Sequence, residues 1–173
     1  NVIPMLPERL SNDLCSLKEG VERLTLSCVM TVDKRGNVVD YLITPSVIKS
    51  KRRLTYTKVQ QILDGDKSLI NEYSDVYDSL LLMDELREIL HQKRIERGSV
   101  DLDVKESHVT VDENKQIKIS ARTSEKAYKI IEEFMILANV TVAEYLCYLS
   151  LPCIYRVHDE PSPEKLENFY SFL

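Results

Sequence analysis

The chain has 173 residues, of which 43% are hydrophobic and 29% charged, a composition that excludes a disordered segment and is typical of one folded domain. It contains no apolar run of the roughly 18 residues that a membrane-spanning helix requires, so no membrane contact is expected. The formal net charge of −5 argues against a uniformly basic nucleic-acid-binding face, although residues 49–53 and 93–97 form local basic clusters. The cysteines have no CxxC spacing and are expected to be buried or partly buried free thiols in a reducing cytoplasm: Cys15, Cys28, Cys147 and Cys153.

The first half of the chain predicts a hairpin followed by two helices. Residues 1–20 allow one short helix at most, because Pro4 and Pro7 interrupt regular structure. Alternation over 21–32 and 38–48, around a turn at 33–37, predicts a long antiparallel hairpin. Its half-buried face is expected to carry Leu24, Leu26, Cys28, Met30 and Val32. Helical spacing predicts helices over 55–63 and 69–96, the second of which ends at Gly98.

The second half mixes strands and helices again. Alternation predicts strands over 99–104, 108–111 and 117–119, with a turn at 112–115. A helix start at 123–125 precedes a largely buried helix over 127–149. A short strand candidate over 154–157 and a helix from Ser162 complete the chain. The blocks lack steady βαβ alternation, so the expected fold is α+β, with mostly antiparallel strands packed against long helices and no internal domain boundary.

Five segments carry a resemblance to known proteins: IPMLPERLSNDLCSL (3–17), SKRRLTYTKV (50–59), RGSVDL (97–102), IEEFMILAN (131–139) and YRVHDEP (155–161). In this order and spacing they resemble the catalytic, or RNB, domain of the ribonuclease R and ribonuclease II family. The resemblance implies part of the RNB catalytic-domain fold. It also implies a cytoplasmic exoribonuclease that hydrolyses single-stranded RNA processively from its 3′ end and releases 5′-nucleoside monophosphates.

The resemblance implies a cofactor that this chain is not expected to hold. The family's chemistry uses magnesium bound by an aspartate cluster, and no closely spaced DxDD occurs here. The nearest pair, Asp101 and Asp103, is expected on an exposed strand face. We therefore expect residues 1–173 to be a single fragment of the catalytic domain, without the upstream metal-site segment or the cold-shock and S1 modules, metal-free and inactive alone. Truncation also predicts exposed apolar surface, open strand edges and self-association.

The resemblance further implies individual site residues. Glu132 corresponds to the family's active-site glutamate near the 3′-terminal nucleotide and is the catalytic candidate; the alternative is an exposed or ion-paired carboxylate. Tyr56 corresponds to a tyrosine close to the terminal nucleotides, and simple packing is its alternative. Leu102 replaces an aromatic residue that clamps the last bases in ribonuclease II, so it offers apolar contact without a π-face. Phosphate contacts are expected from three basic residues, for which solvated surface is the alternative: Arg97, Arg52 and Arg53.

Two other functions compete with the exoribonuclease. A non-catalytic RNA-binding or scaffold protein could have kept this fold and lost the nuclease, and the aspartate motif in the parent gene distinguishes this case. An unrelated α+β interaction module would require all five segments to match by accident.

Overall fold

A computed structural model describes residues 3–100, 106–111, 117–122 and 126–172. A single turn of π-helix, Leu10–Leu14, is followed by a hairpin, three helices, a second hairpin and two helices. These are β1 (Glu22–Val32), β2 (Val38–Lys49), α1 (Tyr56–Leu63), α2 (Lys67–Glu72), α3 (Ser74–Glu96), β3 (Glu106–Val111), β4 (Ile117–Arg122), α4 (Lys126–Tyr148) and α5 (Pro163–Phe172). Each sheet described is an antiparallel pair, β1–β2 and β3–β4. The α+β class predicted from the sequence is confirmed.

The turn between β1 and β2 is closed by one carboxylate. Asp33 Oδ1 accepts the backbone N–H groups of Arg35 and Asn37, both at 2.8 Å, and Oδ2 accepts Asn37 Nδ2 at 2.9 Å. The hydrogen bonds from the Asn37 side chain and backbone hold the pKa of Asp33 below its ordinary value. Gly36 supplies the positive φ of 74° that the turn requires, which a residue with a Cβ adopts at a cost.

This turn packs against α3. A Cβ at Gly36 would lie 3.2 Å from Ile89 Cγ2, so the backbone approaches the helix as closely as a glycine permits. Lys93 Nζ donates to Gly36 O and to Asn37 Oδ1, both at 2.8 Å. The hairpin is therefore attached to the helical part of the fold at its turn.

The predicted burial of the hairpin face is wrong at its open end. Leu24 is 87% exposed and Leu26 74% exposed, whereas Met30, nearer the turn, is partly buried and accepts Thr141 Oγ1 at 3.4 Å. Val47, the partner of Leu24 in the register, is exposed as well. Alternation identifies residues that share a face, but the length of that face that a neighbouring element covers depends on tertiary packing.

Helices α1 to α3 share a small core in which Ile62, Tyr73 and Leu80 are buried. The single helix predicted over 69–96 is wrong, because the chain breaks at Tyr73, where φ is −110° and ψ 28°. The break turns the Tyr73 ring into the core, where its hydroxyl accepts Lys58 Nζ at 2.7 Å. Asp66 caps α2 by accepting the N–H groups of Ser68 and Leu69, which is typical of a helix start.

The remainder of the first compact unit, Asn1–Val142, contains the second hairpin and most of α4. Strands β3 and β4 confirm the predicted strands over 108–111 and 117–119. Ser99 and Val100 are not in a strand; the rest of that predicted strand, with Leu102, the turn at 112–115 and the helix start at 123–125, lies outside the described residues. Helix α4 forms as predicted, but it is buried on one side only, since Ile131 and Met135 are exposed.

The second compact unit is Ala143–Leu173. The strand candidate over 154–157 is wrong: these residues have no regular structure and Ile154 and Val157 are exposed, because a short run cannot form a strand without a partner. Helix α5 begins beside Ser162, whose Oγ accepts the N–H of Lys165 at 3.4 Å. The four cysteines are free, but their predicted burial is wrong at three of them: Cys15, Cys147 and Cys153 are exposed, and only Cys28 is partly buried. Within the described ranges, no helix is long and apolar enough to span a membrane.

Candidate nucleic-acid interface

Tyr56 is the first residue of α1, and a second tyrosine covers one face of its ring. Thr55 caps the helix by accepting the N–H of Lys58 at 3.3 Å, which fixes where α1 begins. The Tyr56 ring stacks on Tyr128, near the start of α4, with ring centroids 4.0 Å apart and planes inclined by 23°. Tyr56 remains 40% exposed, so part of its aromatic surface is still accessible.

A hydrogen bond joins α1 to α4 next to this stack. Gln60, one turn after Tyr56, accepts the backbone N–H of Ala127 at 3.3 Å through Oε1. Ala127 and Ile130 are buried, so the first turn of α4 is held on the fold by packing as well as by hydrogen bonding. The two tyrosines are therefore positioned by helix ends that contact each other directly.

A cleft of about 710 Å³ lies beside Tyr56. Its walls come from the segment before α1 and from α1, α3 and α4, and they are mainly apolar with a few polar and basic groups at the segment before α1. The lining residues are Ser50, Lys51, Arg52, Leu54, Thr55, Tyr56, Val59, Val76, Ser79, Leu80, Met83, Ala127, Ile130 and Ile131. Concave apolar surface with few convergent polar groups is typical of ligand sites.

Glu132 lies one turn after Tyr128 on α4, and residues at this spacing share a helix face. Its Oε1 accepts Arg94 Nη2 at 3.3 Å. Arg94 also donates through Nε and Nη2 to Glu133 Oε1, at 3.1 and 2.8 Å. His91 Nδ1 lies 3.2 Å from the same Glu133 oxygen. Of the two adjacent carboxylates, Glu133 is the buried one, whereas Glu132 keeps an accessible carboxylate that Arg94 holds in place.

The fold separates Arg97 from the other two basic residues predicted from the sequence, Arg52 and Arg53, which both contact Glu19. Arg52 donates to Asp75 through Nε at 3.2 Å and to Glu19 through Nη1 at 3.4 Å, and the hydrogen bond to Asp75 raises the pKa of Arg52. Arg53 donates its backbone N–H to Glu19 at 2.8 Å, and its side chain is exposed. Arg97 is exposed at the end of α3 and, with Arg94, lines a smaller cavity of about 280 Å³.

The structure thus brings Tyr56 into contact with Tyr128, one turn before Glu132 on α4. It also places Arg52 at the cleft beside Tyr56, whereas Arg97 lines a different cavity. Sequence reasoning missed Tyr128 and Arg94. The spacing between Tyr128 and Glu132 was a usable signal, because it places both on one helix face. The role of Arg94 had no local signal, since its partners lie on another helix.

The described side chains do not form a metal site. In the part of the chain that the structure describes, no group of three or more His, Cys, Asp or Glu side chains could hold a metal ion. Magnesium requires several converging oxygen ligands, so these residues do not fit the cofactor that the resemblance implies. Leu102 and the neighbouring Asp101 and Asp103 lie outside the described residues.

Comparison with known proteins places the chain in a family. It is 48% identical to ribonuclease R of Thermotoga maritima over 99% of this chain and 24% of that protein. Ribonuclease R 1 of Lactococcus lactis is 43% identical over 99% of this chain and 21% of its own length. The structure of Mycoplasma genitalium RNase R in complex with ribose methylated single-stranded RNA superposes with a TM-score of 0.85 at 35% identity, covering 99% of this chain and 27% of that one. The chain thus spans about a quarter of the proteins it resembles. The RNB domain matches residues 1–173 in full, and the chain belongs to the RNB domain family.

Proposed function

We propose that this chain is the middle part of the catalytic domain of a longer 3′-to-5′ exoribonuclease, here called the parent enzyme. The parent hydrolyses single-stranded RNA to 5′-nucleoside monophosphates. The observation that carries the proposal is the 48% identity to a ribonuclease R along 99% of this chain. Because the chain spans only 24% of that relative, the activity is proposed for the parent and not for these residues alone.

The interface on α1 and α4 supports RNA as the ligand. The Mycoplasma genitalium relative was solved with single-stranded RNA, and we propose that RNA reaches the corresponding surface here. An accessible tyrosine ring suits a nucleobase, because every base has a π-face that can stack. Glu132 repels phosphate but accepts hydrogen bonds, so among the groups of a terminal nucleotide its carboxylate suits the ribose hydroxyls.

Magnesium belongs, on this proposal, to the aspartate segment of the parent enzyme. The described residues offer no metal cluster, and no step of the reaction is assigned to a metal held by them. What they contribute is binding and orientation of the RNA end, which accelerates a reaction by fixing its geometry.

The test is degradation of a 5′-labelled single-stranded RNA in magnesium by the parent enzyme and, separately, by the 173-residue chain. We expect the parent to shorten the RNA from its 3′ end and the chain alone to leave it intact. A matched DNA strand serves as the substrate control. A parent that binds RNA without shortening it would support the scaffold alternative. Metal-dependent activity in the chain alone would overturn the placement of the chemistry.

We also propose that the parent enzyme is cytoplasmic and that the isolated chain self-associates. The exposed apolar end of the first hairpin supports this, since contiguous apolar surface and open strand edges favour association. The residues concerned are Leu24, Leu26 and Val47. Sedimentation velocity over rising concentrations tests it; a constant monomer would contradict the proposal, and Leu26→Lys should shift the distribution toward monomer.

A further inference from the structure

We infer that Tyr128 is a positioning residue that holds the Tyr56 ring ready to stack on the RNA end. The inference rests on the proposed function, because it assumes that Tyr56 contacts RNA. Tyr128 lies outside the five segments that carry the family resemblance. The juxtaposition that carries it is the stack of the two rings at the contact between α1 and α4.

The geometry of the stack shows how Tyr128 can restrict the Tyr56 ring. With centroids 4.0 Å apart and planes inclined by 23°, the two rings are in face-to-face van der Waals contact, an arrangement that is favourable for aromatic pairs when the rings are offset. Tyr128 therefore occupies one face of Tyr56. A nucleobase that stacks on Tyr56 must use the surface that remains exposed, so that Tyr128 backs the contact from the opposite side.

The backbone on both sides of the stack is fixed independently of the rings. Thr55 caps α1 immediately before Tyr56, and Gln60 accepts the N–H of Ala127 immediately before Tyr128. Ala127 is buried. Consequently, the main freedom left to Tyr56 is rotation of its own side chain, and the stacked ring of Tyr128 restricts that rotation.

Restricting the ring lowers the entropic cost of binding. Ordering a free side chain on association reduces affinity by roughly two- to tenfold. A change at Tyr128 should therefore raise KM by about this factor and leave kcat nearly unchanged, because the reacting phosphate is not touched. The cleft beside Tyr56 gives a released ring space into which it can rotate.

The experiment measures kcat and KM of the parent enzyme on a labelled single-stranded RNA for a double-mutant cycle: wild type, Tyr56→Leu, Tyr128→Leu and the double variant. We expect Tyr128→Leu to raise KM by about two- to tenfold. In the Tyr56→Leu background the same change should have no further effect, because Tyr128 acts through Tyr56. Tyr128→Phe keeps the stacked ring and is expected to restore the wild-type KM.

Each other outcome decides against the inference in a distinct way. An equal rise in KM in both backgrounds would show that Tyr128 acts independently of Tyr56. A wild-type KM in Tyr128→Leu would also overturn it. If Tyr56→Leu itself leaves KM unchanged, the proposed placement of RNA fails together with the inference, whereas a Tyr56 effect without a Tyr128 effect refutes the inference alone. Circular dichroism checks folding, and Tyr128→Met replaces the leucine variant under the same criteria if that variant is unfolded.

Discussion

Replacing Arg94 by methionine tests whether a buried carboxylate controls the packing of α3 against α4. The Glu133 side chain is only 3% exposed, whereas that of Arg94 is 21% exposed. Without the guanidinium, Glu133 Oε1 would retain His91 Nδ1, at 3.2 Å, as its partner among the described residues. Removing one member of a buried ion pair costs about 3–5 kcal/mol. Because Arg94 is partly exposed, we expect a loss near the lower end, about 3 kcal/mol.

The assay is urea unfolding of the chain followed by far-ultraviolet circular dichroism. With a slope of about 2 kcal/mol per molar urea, a loss of about 3 kcal/mol lowers the midpoint by about 1.5 M. The matched control is Glu132→Gln. That carboxylate is 43% exposed and lies 3.3 Å from Arg94, so its loss should cost less than about 1 kcal/mol. A midpoint shift in Arg94→Met no larger than that of Glu132→Gln would refute the reasoning.

Two further predictions concern the turn of the first hairpin. Gly36→Ala would place a Cβ 3.2 Å from Ile89 at a φ of 74° and should lower the free energy of unfolding by about 2 kcal/mol. The control is Gly65→Ala, at a φ of 95° with no atom within 4 Å of the added Cβ, which introduces backbone strain without a steric contact. Equal losses of unfolding free energy in the two variants would contradict the close packing of the turn on α3. Asp33→Asn tests the pKa of Asp33, which Asn37 hydrogen bonds lower from 3.8. A lowered pKa in the folded state stabilises the fold at pH values above 3.8, and this contribution is lost as the pH falls through the lowered pKa. The urea midpoints of wild type and variant should therefore converge as the pH falls below 3.8; parallel curves would argue against it.

The local parts of the fold could be predicted from the sequence. The first hairpin follows from alternation and from the turn between Asp33 and Asn37, whose hydrogen bonds join residues a few positions apart. The break at Tyr73 could not be predicted, because no glycine or proline marks it and the cause is burial of that ring among other helices. The exposure of Leu24 could not be predicted either, because it depends on tertiary packing. Alternation along β1 does not show how much of the strand another element covers.

The candidate site shows the same division. Tyr56 and Glu132 were identified through the family resemblance, and their roles in RNA binding stay predictions. Their partners depend on tertiary contacts, since Tyr128 meets Tyr56 only when α4 packs on α1. Likewise, Arg94 was grouped with the surface cations although the fold directs it at a buried carboxylate.

The ion pairs before α1 have a consequence for how salt affects the RNA end. Lys51 lies 3.7 Å and Arg52 3.2 Å from Asp75 carboxylate oxygens, and Arg52 also lies 3.4 Å from Glu19. The two carboxylates therefore offset the two positive charges within the protein. A cation that is already paired within the protein neutralises little phosphate charge and therefore displaces few of the cations condensed on the RNA. Each phosphate neutralised on a single strand contributes about 0.7 to the slope of log affinity against log salt. Two such cations therefore remove about 1.4 from that slope. For RNA bound as proposed, attachment of the last nucleotides at this interface depends mainly on stacking, and it persists at ionic strengths that weaken contacts to the phosphate backbone elsewhere.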